Sequence, residues 1–262
     1  MNRIDKKFRE LRKQGKKALI IYITAGYPGL SKTKELILEI EKNGADIIEL
    51  GIPFSDPLAD GPTIQRASYL ALKSGATLKK IISLVKDIRK KTQIPIVFMT
   101  YYNPVLSFGI NRFVKSAKSA GVDGVIIPDL PPEEAKGLME ISKNLDFSNI
   151  FLLTPTSTKK RFIVVSEASS GFIYYVSLAG VTGARRKLPV ELKNRIKAIK
   201  EITEKPVCAG FGVSNAMQAA QVAKSADGVI IGSAVVNILL KDKNNCVKKT
   251  GAFVKGLRNA VR

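Results

Sequence analysis

The chain has 262 residues, 45% of them hydrophobic, and carries 43 Lys and Arg against 22 Asp and Glu, with no histidine and a formal net charge of +21. Without histidine, Ser-His-Asp and Cys-His catalysis, HExxH zinc sites and histidine metal clusters are excluded together, so any acid–base work falls to carboxylates, Tyr or Lys. No apolar run reaches the ~18 to 20 residues that cross a bilayer, and the start MNRIDKKFRELRKQGKK lacks the apolar core of a secretory signal; the expectation is a cytoplasmic chain, or one in a plastid stroma if organelle-encoded.

In chain order, residues 4–12 place Ile4, Phe8 and Leu11 on one face and predict an opening helix. Short β-branched runs then alternate with longer helical patterns: 19–24, 45–50, 94–99, 124–127, 150–154, 172–177, 206–210 and 228–232 read as strands. Between the first two, SKTKELILEIEKNG puts Leu36, Ile37 and Ile40 on one face, with Ser31 as its expected cap and Gly44 as its stop. NGADIIEL, AGVDGVII and SADGVIIG repeat one passage from helix into strand, and QIPIVFM resembles EKPVCAG. Eight such units imply parallel pairing, and no GxGxxG follows the first strand, so a (β/α)8 barrel in one domain over residues 1–262 fits better than an open doubly wound sheet. The opening helix is then an extra one that closes the barrel bottom.

The charge is concentrated at the ends. Residues 1–17 hold eight basic and two acidic side chains, and residues 241–262 hold seven and one. No RNA-recognition signature or interleaved aromatic and basic stripe accompanies them, so a solvated basic surface is favoured over specific nucleic-acid binding. Cys208 and Cys246 lack metal-ligand spacing and read as reduced thiols.

From Asn43 through Gln65 there is no Lys or Arg at all, yet ELGIPFSDPLADGPTIQ at 49–65 holds Glu49, Asp56 and Asp60. Barrel active sites lie where the strands end. Alternation along ADIIEL puts Ile47 and Glu49 on one face; if that face is inward, Glu49 is a carboxyl at the barrel mouth among Tyr22, Met99, Ile126 and Tyr174, with a proton affinity raised by desolvation. The plainer alternatives are a solvated strand-end Glu49, an Asp60 that caps a helix starting near Thr63, and an Asp56 in an Asx turn. Three late loops, AGVTGAR (179–185), GFGVS (210–214) and IGSAV (231–235), pair Gly with small or hydroxyl residues, and the last two are expected to open directly onto helices. Backbone N–H groups there suit a phosphate.

ELGIPFSDPLADGPTIQRA, followed in order by YYNPVLSFG, VDGVIIPDLPPEE, YYVSLAGVTGAR and GFGVS, resembles the tryptophan synthase α subunit family over nearly the whole chain. The resemblance implies cleavage of indole-3-glycerol phosphate to indole and glyceraldehyde 3-phosphate in tryptophan biosynthesis, without metal or organic cofactor. By that matching Glu49 is the acid–base group and Asp60 holds the indole N–H. The indole would lie against Tyr22, Ile64, Met99, Ile126 and Phe211, with Tyr174 beside Glu49 and Thr182 meeting Asp60. The phosphate would sit on Gly183, Gly212, Gly232 and Ser233. A β subunit that carries pyridoxal phosphate is the implied partner in an α2β2 heterotetramer, docked over Asp56, Pro57, Asp129 and Pro131. The rival readings are a stand-alone indole-releasing lyase, another phosphate-binding barrel with a catalytic Lys or metal, a scaffolding partner, and an electrostatic nucleic-acid binder.

Overall fold

The computed structural model describes residues 1–176, 190–210 and 212–261. Nine strands, β1 (Ala18–Thr24), β2 (Ile47–Gly51), β3 (Ile96–Met99), β4 (Gly124–Ile126), β5 (Ser148–Ile150), β6 (Leu152–Leu153), β7 (Ile173–Val176), β8 (Val207–Gly210) and β9 (Gly228–Ile231), form one parallel sheet in the order β5-β4-β3-β2-β1-β9-β8-β7-β6. Its two edges, β5 and β6, are separated in the chain only by Phe151, so the sheet closes on itself and the helices surround it. The result is the (β/α)8 barrel, with the fifth strand broken in two: β5 serves β4 on one side and β6 serves β7 on the other.

Alternation along each strand sorts the core into two shells. Ile20, Ile47, Val97, Ile126, Ile150, Cys208 and Ile230 fill the barrel, whereas Leu19, Ile21, Ile23, Ile48, Leu50, Ile96 and Phe98 face the helices. The opening helix, Arg3–Lys13, is N-capped by the Asn2 side chain, which accepts the Ile4 N–H at 3.0 Å. Its Ile4, Phe8 and Leu11 join the inner shell, so this helix stoppers the N-terminal end of the barrel. The helix Leu30–Lys42 buries Leu36, Ile37 and Ile40 as its spacing requires, but it starts earlier than the sequence implies: Gly29 is the cap, without a side-chain bond, and Ser31 lies in the first turn. Cys208 and Cys246 are both free and buried.

The repeated passage from helix into strand has a structural reason. In each copy an Asp stands just before or at the start of a strand: Asp46, Asp123 and Asp227. Each accepts, through Oδ2, the backbone N–H of the neighbouring strand's first turn, Leu19 at 2.8 Å, Ile96 at 2.8 Å and Val207 at 3.0 Å. The backbone N–H groups of the three Asp residues return the bond to the carbonyls of the same three partners, each at 2.8 Å. A cation from elsewhere then neutralises each carboxylate: Arg258 on Asp46 at 2.7 Å, Lys200 on Asp227 at 2.7 Å, and both Arg89 and Arg3 on Asp123 at 2.9 Å. The Asp123 side chain is 1% exposed, so its pairing is the most fully desolvated of the three. Removing one partner of such a pair leaves a charge buried alone. Replacing Asp123 by Ala is expected to cost about 3 to 5 kcal/mol, read as a lower urea midpoint with an unchanged slope.

Candidate active site

The other end of the barrel is built differently. Glu49 sits near the end of β2, in register with Tyr22 on β1 and Val97 on β3, and is 1% exposed. Its Oε2 is buried with no hydrogen-bond partner, and among the described residues no Lys or Arg pairs with it. Desolvation, followed by the negative field of Asp60, pushes the Glu49 carboxyl up from 4.5 to about 8. The solvated strand-end alternative is thereby excluded.

Asp60 does not cap the helix that follows it. That helix runs Pro62–Lys73, slightly earlier than expected, and its N-cap is Gly61, with no side-chain bond. The Asp60 carboxyl faces the mouth instead, where its field reaches Glu49, Tyr22 and Tyr174. Partial burial raises it to about 6, while the nearby Tyr101 hydroxyl works in the opposite direction. Asp56 is exposed, and the short-range bond at that turn, from Leu58 N–H at 2.9 Å, goes to its backbone carbonyl.

Two tyrosines frame the carboxyls, and both depend on a missing side chain. A Cβ on Gly51 would stand 2.2 Å from Tyr22 Oη, and one on Gly210 would stand 2.4 Å from Tyr174 Oη, so each phenol lies across the end of the next strand only because glycine is there. Tyr22 Oη is 3.3 Å from Thr24 Oγ1. Met99 and Ile126 are register partners, but Met99 pairs with Gly51 rather than Glu49, one inward step further along. Met99 is half-buried and Ile126 fully buried, making an apolar floor. Ile64, in the first turn of Pro62–Lys73, is half-buried and packs against the apolar cluster that includes Tyr22.

Gly232 is the N-cap of the helix Ser233–Lys241, and among the described residues no side chain makes a cap bond there; Ser233 is exposed. The first N–H groups of a helix lack partners within it, so this terminus is open to an anion. The loop 210–214 differs from expectation. Its helix starts only at Ala216, and Asn215 caps it by accepting the Gln218 N–H at 2.9 Å, so the loop does not open directly onto a free helix end. Gly212 is exposed with φ +48°. Thr182, Gly183 and Phe211 lie outside the described residues.

Asp56 and Pro57 lie on the rim with Leu58, which is 92% exposed. Asp129, exposed on the loop after β4, accepts the Tyr102 N–H through Oδ1 at 2.9 Å and Oδ2 at 3.2 Å, at the start of the helix Tyr102–Phe108. Pro131 is half-buried, and its carbonyl accepts the Glu134 N–H at 3.1 Å. Sequence reasoning missed Tyr101, whose hydroxyl accepts the Ala59 N–H at 3.0 Å; the YYNP motif marks it, but nothing local says which Tyr turns inward. A cavity of about 590 Å³ against Asp5, Ser142 and Ser169 lies at the stoppered end, away from the carboxyls. Among the described residues no group of three His, Cys, Asp or Glu is placed to hold a metal, and no helix is long and apolar enough to cross a membrane.

A raised Glu49 carboxyl has a consequence for stability. The folded chain keeps this proton up to about pH 8, whereas the unfolded chain releases it near 4.5, so the group's contribution is present below 4.5 and is lost as the pH rises through 8. Glu49→Gln has no proton to lose. Urea midpoints measured from pH 4.5 to 9 are expected to fall for the native chain relative to Glu49→Gln across that window.

The family model for the tryptophan synthase alpha chain matches residues 8–262. The tryptophan synthase alpha chain of Geotalea uraniireducens is 50% identical, over 100% of this chain and 98% of that protein; that of Caldanaerobacter subterraneus is 46% identical over the whole of both. Among solved structures, tryptophan synthase subunit alpha from Legionella pneumophila superposes with a TM-score of 0.93 at 40% identity, covering 100% of this chain and 98% of that one. Tryptophan synthase from M. tuberculosis in its aminoacrylate-bound form gives 0.90 at 35% identity over all of both chains. A match that runs from Phe8 to the last residue, with relatives near half identity on the same barrel, leads to one conclusion: the chain belongs to the tryptophan synthase alpha chain family.

Proposed function

We infer that this chain carries out the reaction of its family, the retro-aldol cleavage of indole-3-glycerol phosphate to indole and glyceraldehyde 3-phosphate in tryptophan biosynthesis. The observation that carries the reading is the pair of unlike carboxyls at the mouth, Glu49 held up near 8 and Asp60 near 6.

Between those values Glu49 is protonated and Asp60 ionised, which is the state the reaction requires. Glu49 gives its proton to indole C3, leaving the ring nitrogen cationic, and Asp60 beside the indole N–H offsets that charge. The Glu49 carboxylate then takes the proton of the glycerol C3′ hydroxyl. As the C3–C3′ bond breaks, its electron pair returns to the ring, the hydroxyl carbon becomes the aldehyde, and Glu49 regains its proton. The absence of Lys and Arg from 43–65 serves this cycle, since a cation beside Glu49 would hold it ionised. Tyr22, Ile64, Met99, Ile126 and Tyr174 are the proposed indole contacts. The phosphate is proposed on the open helix end at Gly232 and Ser233, together with Gly212.

The chemistry needs only proton transfer and a counter-charge, so we propose that this chain uses no organic cofactor or metal. Its proposed partner is a tryptophan synthase β subunit, which would hold pyridoxal phosphate and receive the indole in an α2β2 assembly. Exposed Asp56, Leu58 and Asp129, with half-buried Pro57 and Pro131 beside them, support that partner, as does Leu106 at 55% exposure on the helix Tyr102–Phe108. A cytoplasmic location belongs to the same proposal.

Indole release from indole-3-glycerol phosphate tests the reading, measured with the chain alone and with a β subunit added. Glu49→Gln and Asp60→Asn are each expected to lower kcat by about 10²- to 10⁴-fold while the chain stays folded. The native kcat/KM is expected to be bell-shaped, falling below about pH 6 as Asp60 gains its proton and above about pH 8 as Glu49 loses its own. Retained turnover in Glu49→Gln would remove it from the chemistry.

A further inference from the structure

Tyr101 follows β3 by two residues and is 6% exposed. Its hydroxyl accepts the Ala59 N–H at 3.0 Å, and its ring packs on Phe54, with 5.4 Å between centroids and 32° between planes. These contacts grip the loop after β2 near both of its ends, at Phe54 and at Ala59. Asp60, the next residue, takes its position from them. A phenol that accepts from Ala59 still has its own proton to donate, and the acceptor beside it is the Asp60 carboxylate.

We propose that Tyr101 is the positioning residue of this site, fixing the loop through Ala59 and Phe54 and donating to Asp60, so that the carboxylate meets the substrate ionised and in one orientation. The proposal rests on the acid–base reading above and adds to it a residue that need not touch the reacting atoms. Its physical basis is a division of labour on one hydroxyl: the oxygen holds the backbone and the proton holds the charge. A phenylalanine at this position would keep the ring on Phe54 and lose both bonds.

The groups that face Asp60 set what its titration can report. Glu49 on β2, Tyr22 on β1 and Tyr174 on β7 surround it, and Tyr101 is itself acted on by Asp129 from the loop after β4. Every one of these is an acid or a phenol. Tyr101 is thus the neighbour whose hydrogen bond favours the Asp60 anion, against the desolvation that opposes it. Removing the donor raises the pH at which Asp60 gains its proton, so the acid limb of the rate profile must move upward.

The experiment is kcat and kcat/KM for indole release from pH 5 to 9 in the native chain, Tyr101→Phe, Asp60→Asn and the double variant. Tyr101→Phe is expected to lose about tenfold to a hundredfold in kcat/KM at pH 7, with its acid limb displaced to higher pH, so that the loss shrinks as the pH rises. In the Asp60→Asn background the same substitution is expected to change little further. An uncharged role in packing would lower the rate equally at every pH, and that result, or a native profile in Tyr101→Phe, overturns the proposal. If Asp60→Asn itself is fully active, the acid–base reading fails instead; if Asp60→Asn is dead and Tyr101→Phe is unaffected, only the positioning role fails.

Discussion

Ionising a carboxyl group out of water with no cation beside it is costly, and Glu49 is placed in that situation by the fold around it. Beneath it the barrel is filled by Ile20, Ile47, Val97 and their neighbours, and the helix Arg3–Lys13 seals the far end with Ile4, Phe8 and Leu11. Among the described residues none of the cations of this +21 chain pairs with Glu49, and four of them are used at the opposite end of the barrel. Arg3, Arg89, Lys200 and Arg258 pair with the three repeated aspartates where the strands begin. One end of the barrel is therefore held by compensated charge, and the other keeps an uncompensated carboxyl that stays neutral. The same scaffold separates structural from chemical acids.

Asp60 completes this arrangement by being different from Glu49. It stands on a loop rather than a strand, is only partly buried, and has a phenol beside it, so its affinity for a proton is raised less. Its negative charge in turn is one reason why Glu49 holds its own proton. Two residues of similar chemistry thus occupy opposite protonation states over the same pH range, and each helps to define the other's. Glycines 51 and 210 set the lateral limits by letting Tyr22 and Tyr174 lie across the neighbouring strand ends.

Much of this was legible from residue order. Parallel strands announce themselves as β-branched runs, and period-two alternation along ADIIEL puts Glu49 on the face of Ile47, while the closed barrel decides that this face is the inner one. Three aspartates in like positions marked a repeat, but their purpose was hidden because the cations that meet them come from distant helices: Arg258 is 212 residues from Asp46. The break at Phe151 was equally silent, since IFLL is apolar throughout and carries no turn residue. At the site, the role of Asp60 as a helix cap could not be excluded locally; it is Gly61 that caps, and the partner that holds Asp60's loop lies 42 residues on from Ala59 and is brought there only by barrel closure. Helix starts misled for a related reason, because Ser31 and the 210–214 loop carry capping chemistry that neighbouring Gly29 and Asn215 displace.

The central claim is that burial, rather than a paired cation, sets the state of Glu49. Its carboxyl carbon can be followed directly by NMR in protein labelled with ¹³C at the Glu side-chain carboxyl, with Glu49→Gln supplying the assignment, as pH is raised from 3 to 10. The account predicts a carboxyl that titrates near 8, far above the other glutamates. A Glu49 that titrates with them in the ordinary carboxylate range would contradict it, and would mean that the mouth holds this group solvated or paired.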